Sequence, residues 1–284
     1  MGSGGSQKIF TTVKSYSKRG QLLKRPDLQT LAESRDLDEL VTRIKNTKYV
    51  EAVNSVVKPY TAEKLEMALR ANLADNQFKI AKSSGNSKIL DAFFQKFIIS
   101  NLKLIIKGKI LGKSQEEIST FFNMHAEELA KQRDIVVKAL VAKDLEEAVS
   151  SLGSSPFSDE IQKAVELYNE TKNIQAFDVY FDKMLYQNIT RALRSENDQD
   201  ISHIYGMETD FYNVMSIVRG KFWGLDDERI EDLTVGASVN IPNQVMDRMM
   251  AAENVKDALD ELSTTRYKDL VPETEDEVEA IAEF

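Results

Sequence analysis

The chain repeats one pattern of apolar and polar positions three times. Apolar residues recur at the i, i+3, i+4 and i+7 spacing that gives a helix one buried face. The three sets lie about 110 residues apart, at Leu37/Leu40/Val41/Ile44, Leu145/Ala148/Val149/Leu152 and Val255/Ala258/Leu259/Leu262. A pattern that returns in the same phase predicts three short amphipathic helices.

The ends of these three segments match as well. Each begins with a residue whose side chain can accept a hydrogen bond from the first turn of a helix: Asp36, Asp144 and Asn254. A carboxylate follows three residues later, where it favours the positive end of the helix dipole: Glu39, Glu147 and Asp257. Each segment closes with an aromatic residue: Tyr49, Phe157 and Tyr267. Agreement in cap, stripe and closing residue argues against chance similarity.

A second element occurs twice, as NLKLIIKGKILG at 101–112 and NVMSIVRGKFWG at 213–224. The matched polar and glycine positions are Asn101/Asn213, Lys107/Arg219, Gly108/Gly220, Lys109/Lys221 and Gly112/Gly224. The predicted helix before this element is also repeated, and Leu65, Leu69 and Leu73 in the first copy correspond to Phe177, Phe181 and Leu185 in the second. Each unit therefore predicts a short capped helix followed by two long helices, the second ending at a glycine.

Two roles are expected inside this element. Gly108 and Gly220 lie near predicted helix ends, so we expect them to act as C-caps. Leu111 and its counterpart Trp223 occupy an apolar position before the closing glycine, so we expect them in the core. The repeated cations either bind an acidic partner or complement the negative ends of helices.

The repeats divide the chain into a flexible tail and three helical units. The predicted bounds are 1–7 for the tail, 8–113 and 114–225 for the first two units, and 226–284 for a third, incomplete unit. Ser114 and Glu117 form a capping box at the start of the second unit, and Asp226 keeps the cap in the third. The predicted fold is all-α, with LTVGASVNI at 233–241 as a weak strand candidate.

Composition agrees with a helical chain. Hydrophobic residues make up 42% of the sequence, and five prolines and twelve glycines are few enough for long helices. No run reaches the roughly 18 apolar residues of a membrane span, and no signal-peptide core follows the tail. Cysteine is absent, which excludes disulfides and thiolate chemistry. We expect a soluble, cytoplasmic protein.

Charge is divided unevenly along the chain. The first 113 residues carry 21 Lys/Arg and 10 Asp/Glu, a net of +11, whereas the remainder carries 16 and 36, a net of −20. This asymmetry favours partners of opposite sign. Nucleic acid fits poorly because the acidic remainder would repel phosphate and no reader motif is present. A membrane-surface role for the basic part alone stays open, since anionic lipid attracts such patches.

Nothing in the sequence selects a catalytic site. The two histidines stand in unrelated contexts, and GSGGS lacks the strand and helix of a phosphate-binding loop. The carboxylates are numerous, but no spacing singles out an acid/base pair. We therefore predict no enzyme activity, no cofactor and no metal ligands.

The repeated elements resemble a known family, the C/d-type central-stalk subunits of V-type and archaeal A-type rotary ATPases. The resemblance rests on the 101–112 and 213–224 elements, on the capped short helices that end in Tyr or Phe, and on the opening VKSYSKRGQLLKRPDLQTL at 13–31. Members of the family begin with an aromatic residue, basic residues and a pair of leucines. This chain has the same order of residue types at Tyr16, Lys18, Arg19, Leu22 and Leu23. The third unit departs from the family pattern because it stops before its long helices.

The resemblance implies a fold and a function. The fold is three helical units around a pseudo-threefold axis that form a funnel. The function is that of a non-catalytic socket, which links the rotating shaft (subunits of the D and F type) to the membrane proteolipid ring and transmits torque for proton- or sodium-coupled ATP synthesis or hydrolysis. Such a protein is peripheral, on the cytoplasmic side of the cell membrane. An unrelated helical scaffold or adaptor is the alternative.

The candidate partner-binding residues come from the family-like start and from the repeated polar positions at the ends of the long helices. They are Tyr16, Lys18, Arg19, Asn101, Lys107, Lys109, Asn213, Arg219 and Lys221.

Overall fold

A computed structural model describes residues 3–85, 87–122, 124–196, 199–236 and 238–284. These residues are helical or form turns and loops, and none of them lies in a strand. The all-α prediction is therefore confirmed. The strand candidate at 233–241 is wrong: outside position 237, its residues finish a helix and then follow a bent loop.

The chain divides into two compact units, Met1–Ser151 and Leu152–Phe284. The helices of the first unit are α1 (Ser3–Arg19), α2 (Arg25–Ala32), α3 (Leu37–Lys45), α4 (Val50–Asn54), α5 (Ala62–Ser83), α6 (Lys88–Ile110), α7 (Gln115–Ser119), α8 (His125–Ala130), α9 (Arg133–Val141) and α10 (Leu145–Ser151). Those of the second are α11 (Ser158–Thr171), α12 (Gln175–Glu196), α13 (Gln199–Phe222), α14 (Asp227–Leu233), α15 (Asn243–Ala251), α16 (Val255–Asp260) and α17 (Glu277–Glu283), with short 3₁₀ turns at Glu261–Thr264 and Lys268–Leu270. Residues 3–7 of the expected tail belong to α1.

The three predicted caps are present. The side chain of Asp36 accepts from the Glu39 amide at 2.8 Å, and the equivalent bonds from Asp144 and Asn254 are both 2.9 Å. In the first two copies the N3 glutamate also accepts from a backbone N–H just before the cap, that of Arg35 or Lys143. Helices α3, α10 and α16 therefore start alike because each satisfies its first-turn donors in the same way.

The exit from each short helix is also repeated. A hydroxyl donates to the backbone carbonyl three residues earlier and accepts from the amide of the closing aromatic two residues later. The hydroxyl residues are Thr47, Ser155 and Thr265. This local turn brings each closing aromatic back towards the apolar stripe, and Phe157 and Tyr267 are buried.

The predicted long helices occur as the pairs α5/α6 and α12/α13. Phe177 and Phe181 are fully buried on α12, whereas their counterparts Leu65 and Leu69 are buried and half-buried on α5. The second pair is better covered because α11, which has no counterpart of equal length in the first copy, packs along α12. In the first copy the helix at the equivalent place is α4, which has five residues, whereas α11 has fourteen.

The second long helix of each pair also packs against the short helices that follow it in the chain. Helix α6 contacts α7, α9 and α10, and α13 contacts α14, α15 and α16. Ser114 and Glu117 form the expected capping box for α7, and Asp226 caps α14 by accepting from the Arg229 amide. A compact unit therefore combines a long pair with the short helices that come next in the chain.

Candidate partner-binding site

The glycine-rich end of each long helix contains two glycines with different roles. Gly108 lies inside α6, where a Cβ atom would come within 2.6 Å of Cγ1 of Ile118 on α7. Gly112 has a φ of +66°, and its amide and that of Lys113 bond back to Lys109 and Gly108. This is a Schellman-type helix end. The second copy repeats the arrangement with Gly220, Ile230 and Gly224.

The expectation that Gly108 and Gly220 are C-caps is therefore wrong. They are close-approach sites, because only a residue without a side chain leaves room for the isoleucine of the next helix. The core expectation for position 111 is wrong as well: Leu111 is 66% exposed, and Trp223 is half-buried. Leu111 is the C-cap of α6 and follows its last helical residue, Ile110.

Lys109 and Lys221 each bond to the end of a neighbouring helix. The Lys109 ammonium donates to the carbonyl of Ala142, which is the C-cap of α9. The Lys221 ammonium donates to the carbonyls of Met250 and Ala252, at 2.7 and 2.5 Å, at the end of α15. A cation at the negative end of a helix is favourable, and these bonds are charge-assisted. Both ammonium groups therefore form hydrogen bonds within the chain, to backbone carbonyls at the end of a short helix.

Lys107 and Arg219 stand two residues before the capping lysines. At about 100° per residue, their side chains leave the helix roughly 200° away from those lysines. Both are half-buried. This geometry separates the four repeated cations into two that join helices and two that lie on a different face.

The repeated asparagines hold the segments that follow their helices. Asn101 donates to Oε1 of Glu127 on α8 at 2.6 Å, and burial raises the pKa of that fully buried carboxyl. Asn213 is fully buried, accepts from the Val235 amide at 2.7 Å and donates to the Gly236 carbonyl and the Ser238 hydroxyl. Their roles in this structure are therefore internal, and Asn213 is inaccessible to a partner.

Helix α1 presents the remaining candidates. Tyr16 is 66% exposed, Arg19 is exposed, and Lys18 is half-buried with its ammonium 3.4 Å from the Gln21 side chain. Tyr16 continues an exposed apolar stripe of Ile9, Phe10 and Val13, while the opposite side of α1 packs on α5. An exposed apolar stripe beside cations is typical of an interaction surface.

The second unit contains a charged network that sequence reasoning missed. Asp232 on α14 accepts from Lys163 of α11 at 2.9 Å, from Tyr180 of α12 at 2.9 Å and from Lys183 of α12 at 3.1 Å. Burial raises the pKa of Asp232, but these hydrogen bonds and the lysine charges outweigh it and hold the pKa at about 2. The network ties three helices together, and residues 49 to 69 positions apart have no local sequence signal.

A small cavity and an ion pair lie where α8 packs against α5. The cavity beside Asn101, lined also by Arg70 and Phe122, has a volume of about 40 Å³. His125 pairs with Asp75 at 3.0 Å. Within the ranges that the structure describes, no three His, Asp or Glu side chains are placed to share a metal ion.

The match to known proteins covers nearly the whole chain. Residues 11–284 match the family described as ATP synthase (C/AC39) subunit, so the chain belongs to this family. It is 27% identical to the C subunit of the A-type ATP synthase of Methanocaldococcus jannaschii over 281 residues, which are 95% of this chain and 68% of the relative. It is 25% identical to the corresponding C subunits of Thermococcus kodakarensis and Pyrococcus furiosus, over 95% of this chain and 71% of each relative.

Family membership confirms the resemblance to rotary ATPase subunits. Members of this family are structural subunits of the A-type ATP synthase and not catalytic ones, which agrees with the prediction of a non-enzymatic protein. In the described ranges, the structure contains no helix that is long and apolar enough to span a membrane.

Proposed function

We propose that the chain is the central-stalk socket of an A/V-type rotary ATPase. It joins the rotating shaft, through subunits of the D and F type, to the membrane proteolipid ring, and it transmits torque for proton- or sodium-coupled ATP synthesis or hydrolysis. The observation that carries this proposal is the family match over residues 11–284, together with relatives that are named as C subunits of A-type ATP synthases.

The architecture supports a mechanical rather than a chemical role. Torque transmission requires elements that move together, and here capped helices are joined by side chains that bond to neighbouring helix ends. Three copies of the capped short helix support three sequential units, at 8–113, 114–225 and 226–284, around a pseudo-threefold axis. Units related by one constant rotation close into a ring or continue as a spiral. We infer a funnel on this basis.

The surface for these partners includes three residues near the end of α1 and the two repeated cations that lie away from the capping lysines. We assign Tyr16, Lys18 and Arg19 on α1, with Lys107 on α6 and Arg219 on α13. Charge complementarity sets encounter rate and specificity, so cations suit contacts with acidic partners. The chain would then lie peripherally at the cytoplasmic side of the membrane.

Reconstitution tests this function. The purified chain is mixed with detergent-solubilised proteolipid ring and, separately, with the purified shaft subunits of the same organism, and complexes are separated by size-exclusion chromatography. We expect stoichiometric complexes with both, and no ATP hydrolysis by the chain alone. If the chain is folded by circular dichroism but fails to bind the ring or fails to bind the shaft subunits, the socket assignment is refuted.

A further inference from the structure

The second unit contains an open groove between α14 and α15. Its volume is about 830 Å³, and its apolar lining consists of Met246 and Met250 of α15 with Ile217 of α13. The two methionines lie one turn apart on α15, are half-buried and pack against the buried core of the unit. We call this surface the α14–α15 groove.

The corresponding surface of the second copy is buried. Counted from the first residue of each helix, Val136 and Leu140 on α9 stand where Met246 and Met250 stand on α15, and both are buried. Apart from each other, α7 and α9 pack against α6, α8 and α10. Of these three helices, α6 and α10 correspond to α13 and α16, whereas α8 has no counterpart among the described residues of the third copy.

The connection between the two short helices explains this difference. In the second copy it spans residues 120–132 and includes α8. In the third copy it spans residues 234–242, four fewer, and the residues of it that the structure describes form no helix. Met246 and Met250 are therefore only half-buried because this connection carries no covering helix.

The rim of the groove is acidic. Residues 226–250 carry six carboxylates and two arginines, and four of the carboxylates line the groove: Asp227, Glu228 and Glu231 on α14, and Asp247 on α15. All four are exposed, and none forms an ion pair with another residue that the structure describes. The helix dipole favours the first two, which stand in the first turn of α14, but not Glu231 or Asp247.

The cations near this rim are engaged elsewhere. Arg229 pairs with Glu170 at 2.6 Å, and Arg248 pairs with Glu261 at 2.5 Å. The Lys221 ammonium bonds to backbone carbonyls at the end of α15. The groove therefore combines an apolar floor with a negative rim, which suits an occupant that is apolar on one side and cationic at its edges.

We propose that the α14–α15 groove binds a basic amphipathic helix of a partner protein. The apolar side of that helix packs on Met246 and Met250, and its lysines or arginines pair with the carboxylates of the rim. Methionine suits such a floor because its flexible, polarisable side chain adapts to different apolar surfaces, and helices commonly bind in apolar grooves. A metal ion is not the occupant, because no three carboxylates in the described ranges are placed to share one. The proposal is independent of the cationic surface assigned above and of the rotary assembly.

A synthetic basic amphipathic helix serves as the probe. The peptide fluorescein-LKKLLKKLLKKLLKKL-amide, which has leucine at helical spacing and lysine between, is titrated with the full chain and followed by anisotropy. We expect saturable binding that weakens as salt rises. In the triple variant Glu228→Gln, Glu231→Gln, Asp247→Asn, the affinity should fall about tenfold and lose much of its salt dependence.

The matched control removes the same charge at exposed carboxylates that do not line the groove, in the triple variant Glu166→Gln, Asp269→Asn, Glu283→Gln. It should bind the peptide as the parent does. All six substituted positions are exposed, so both variants should fold, as checked by circular dichroism. An equal loss of affinity in the two variants would overturn the proposal, since the peptide would then respond only to net charge.

The methionine floor provides a second readout. The chain contains nine methionines, and their methyl groups can be isotope-labelled for NMR. The peptide should shift the methyl signals of Met246 and Met250, which are assigned by Met→Leu substitution. A peptide with glutamate in place of every lysine should neither bind nor shift them.

The remaining outcomes would each contradict the proposal. Absence of saturable binding, equal affinity for the glutamate peptide, or methyl shifts confined to other methionines would overturn it. A dimer by light scattering that the groove variant dissociates would also overturn it, because the occupant would then be a second copy of this chain.

Discussion

At the scale of single residues, Gly108 shows how a repeated residue can have a packing role that its neighbours in the chain do not reveal. Alanine at Gly108 or Gly220 would place a methyl group about 2.6 Å from an isoleucine Cγ1 atom. The β-branched side chain cannot turn away without moving the short helix that carries it. We expect each Gly→Ala change to lower the free energy of unfolding by about 1–3 kcal/mol, measured by urea denaturation.

Gly20→Ala is the matched control for this prediction. Its Cβ would meet only ordinary van der Waals neighbours, at 3.5 and 3.6 Å, so we expect a change within about 0.5 kcal/mol. In a double-mutant cycle, Ile118→Ala should relieve part of the cost of Gly108→Ala because it removes the clashing atoms. If the costs of the two substitutions simply add, the close-approach explanation is wrong.

Asp232 predicts a pH dependence of stability in the second unit. Its folded pKa of about 2 lies below the unfolded value of about 3.9, so its contribution is complete above that value and is lost as pH falls through about 2. Asp232→Asn should destabilise the protein by roughly 1–3 kcal/mol at pH 6, because Lys183 is buried and loses its charged partner, although it keeps its bond to the backbone carbonyl of residue 232. The difference from the parent should shrink between pH 4 and pH 2.

Thermal or urea unfolding across that pH range measures the effect, with Glu231→Gln as the control at an exposed neighbouring carboxylate. The control variant should follow the parent at every pH. A constant difference between Asp232→Asn and the parent down to pH 2 would contradict the assigned pKa.

At the scale of elements, Lys109 and Lys221 join each long helix to the end of a short one. Replacing either with methionine keeps much of the apolar stem but removes charge-assisted bonds to the carbonyls of α9 or α15. We expect a loss of about 1–3 kcal/mol in unfolding free energy and faster hydrogen exchange in the last turn of the affected short helix.

Lys138→Met offers a comparison on α9 itself, at an exposed lysine. It should change stability by less than about 0.5 kcal/mol. Equal effects at Lys109 and Lys138 would mean that the bond to Ala142 adds nothing beyond general charge.

At the scale of the whole molecule, a basic first part and an acidic remainder should make binding to charged partners depend on salt. Reversing Lys107 and Arg219 together, to glutamate, tests whether these cations face a partner. We expect affinity for the proposed shaft and ring partners to fall about tenfold and to lose part of its salt dependence, while the melting temperature moves little. The measurement is binding at several salt concentrations, alongside a thermal melt.

The control for this variant is the joint reversal of Lys138 and Lys268, which changes the net charge equally at two exposed sites. It should retain most of the affinity. Unchanged affinity combined with lower stability in the Lys107→Glu, Arg219→Glu variant would show that these residues are structural, as Lys109 and Lys221 are.

Helix type, phase and capping followed from short stretches of the chain. An Asx cap, a carboxylate three residues later and an i, i+3, i+4, i+7 stripe act within one or two turns, so α3, α10 and α16 could be placed without a structure. The repeat spacing located both long pairs in the same way, since copied stretches carry the same local preferences.

The roles of individual residues depended on contacts between distant segments. Gly108 resembles a helix end until Ile118 packs on it, Lys109 resembles a free cation until Ala142 is beside it, and Asp232 is one carboxylate among many until α11 and α12 converge on it. The exposure of equivalent apolar side chains is decided in the same way. Val136 is buried because the long helix α6 packs on α9, whereas Leu28 at the equivalent position of α2 is exposed because no long helix among the described residues packs on it.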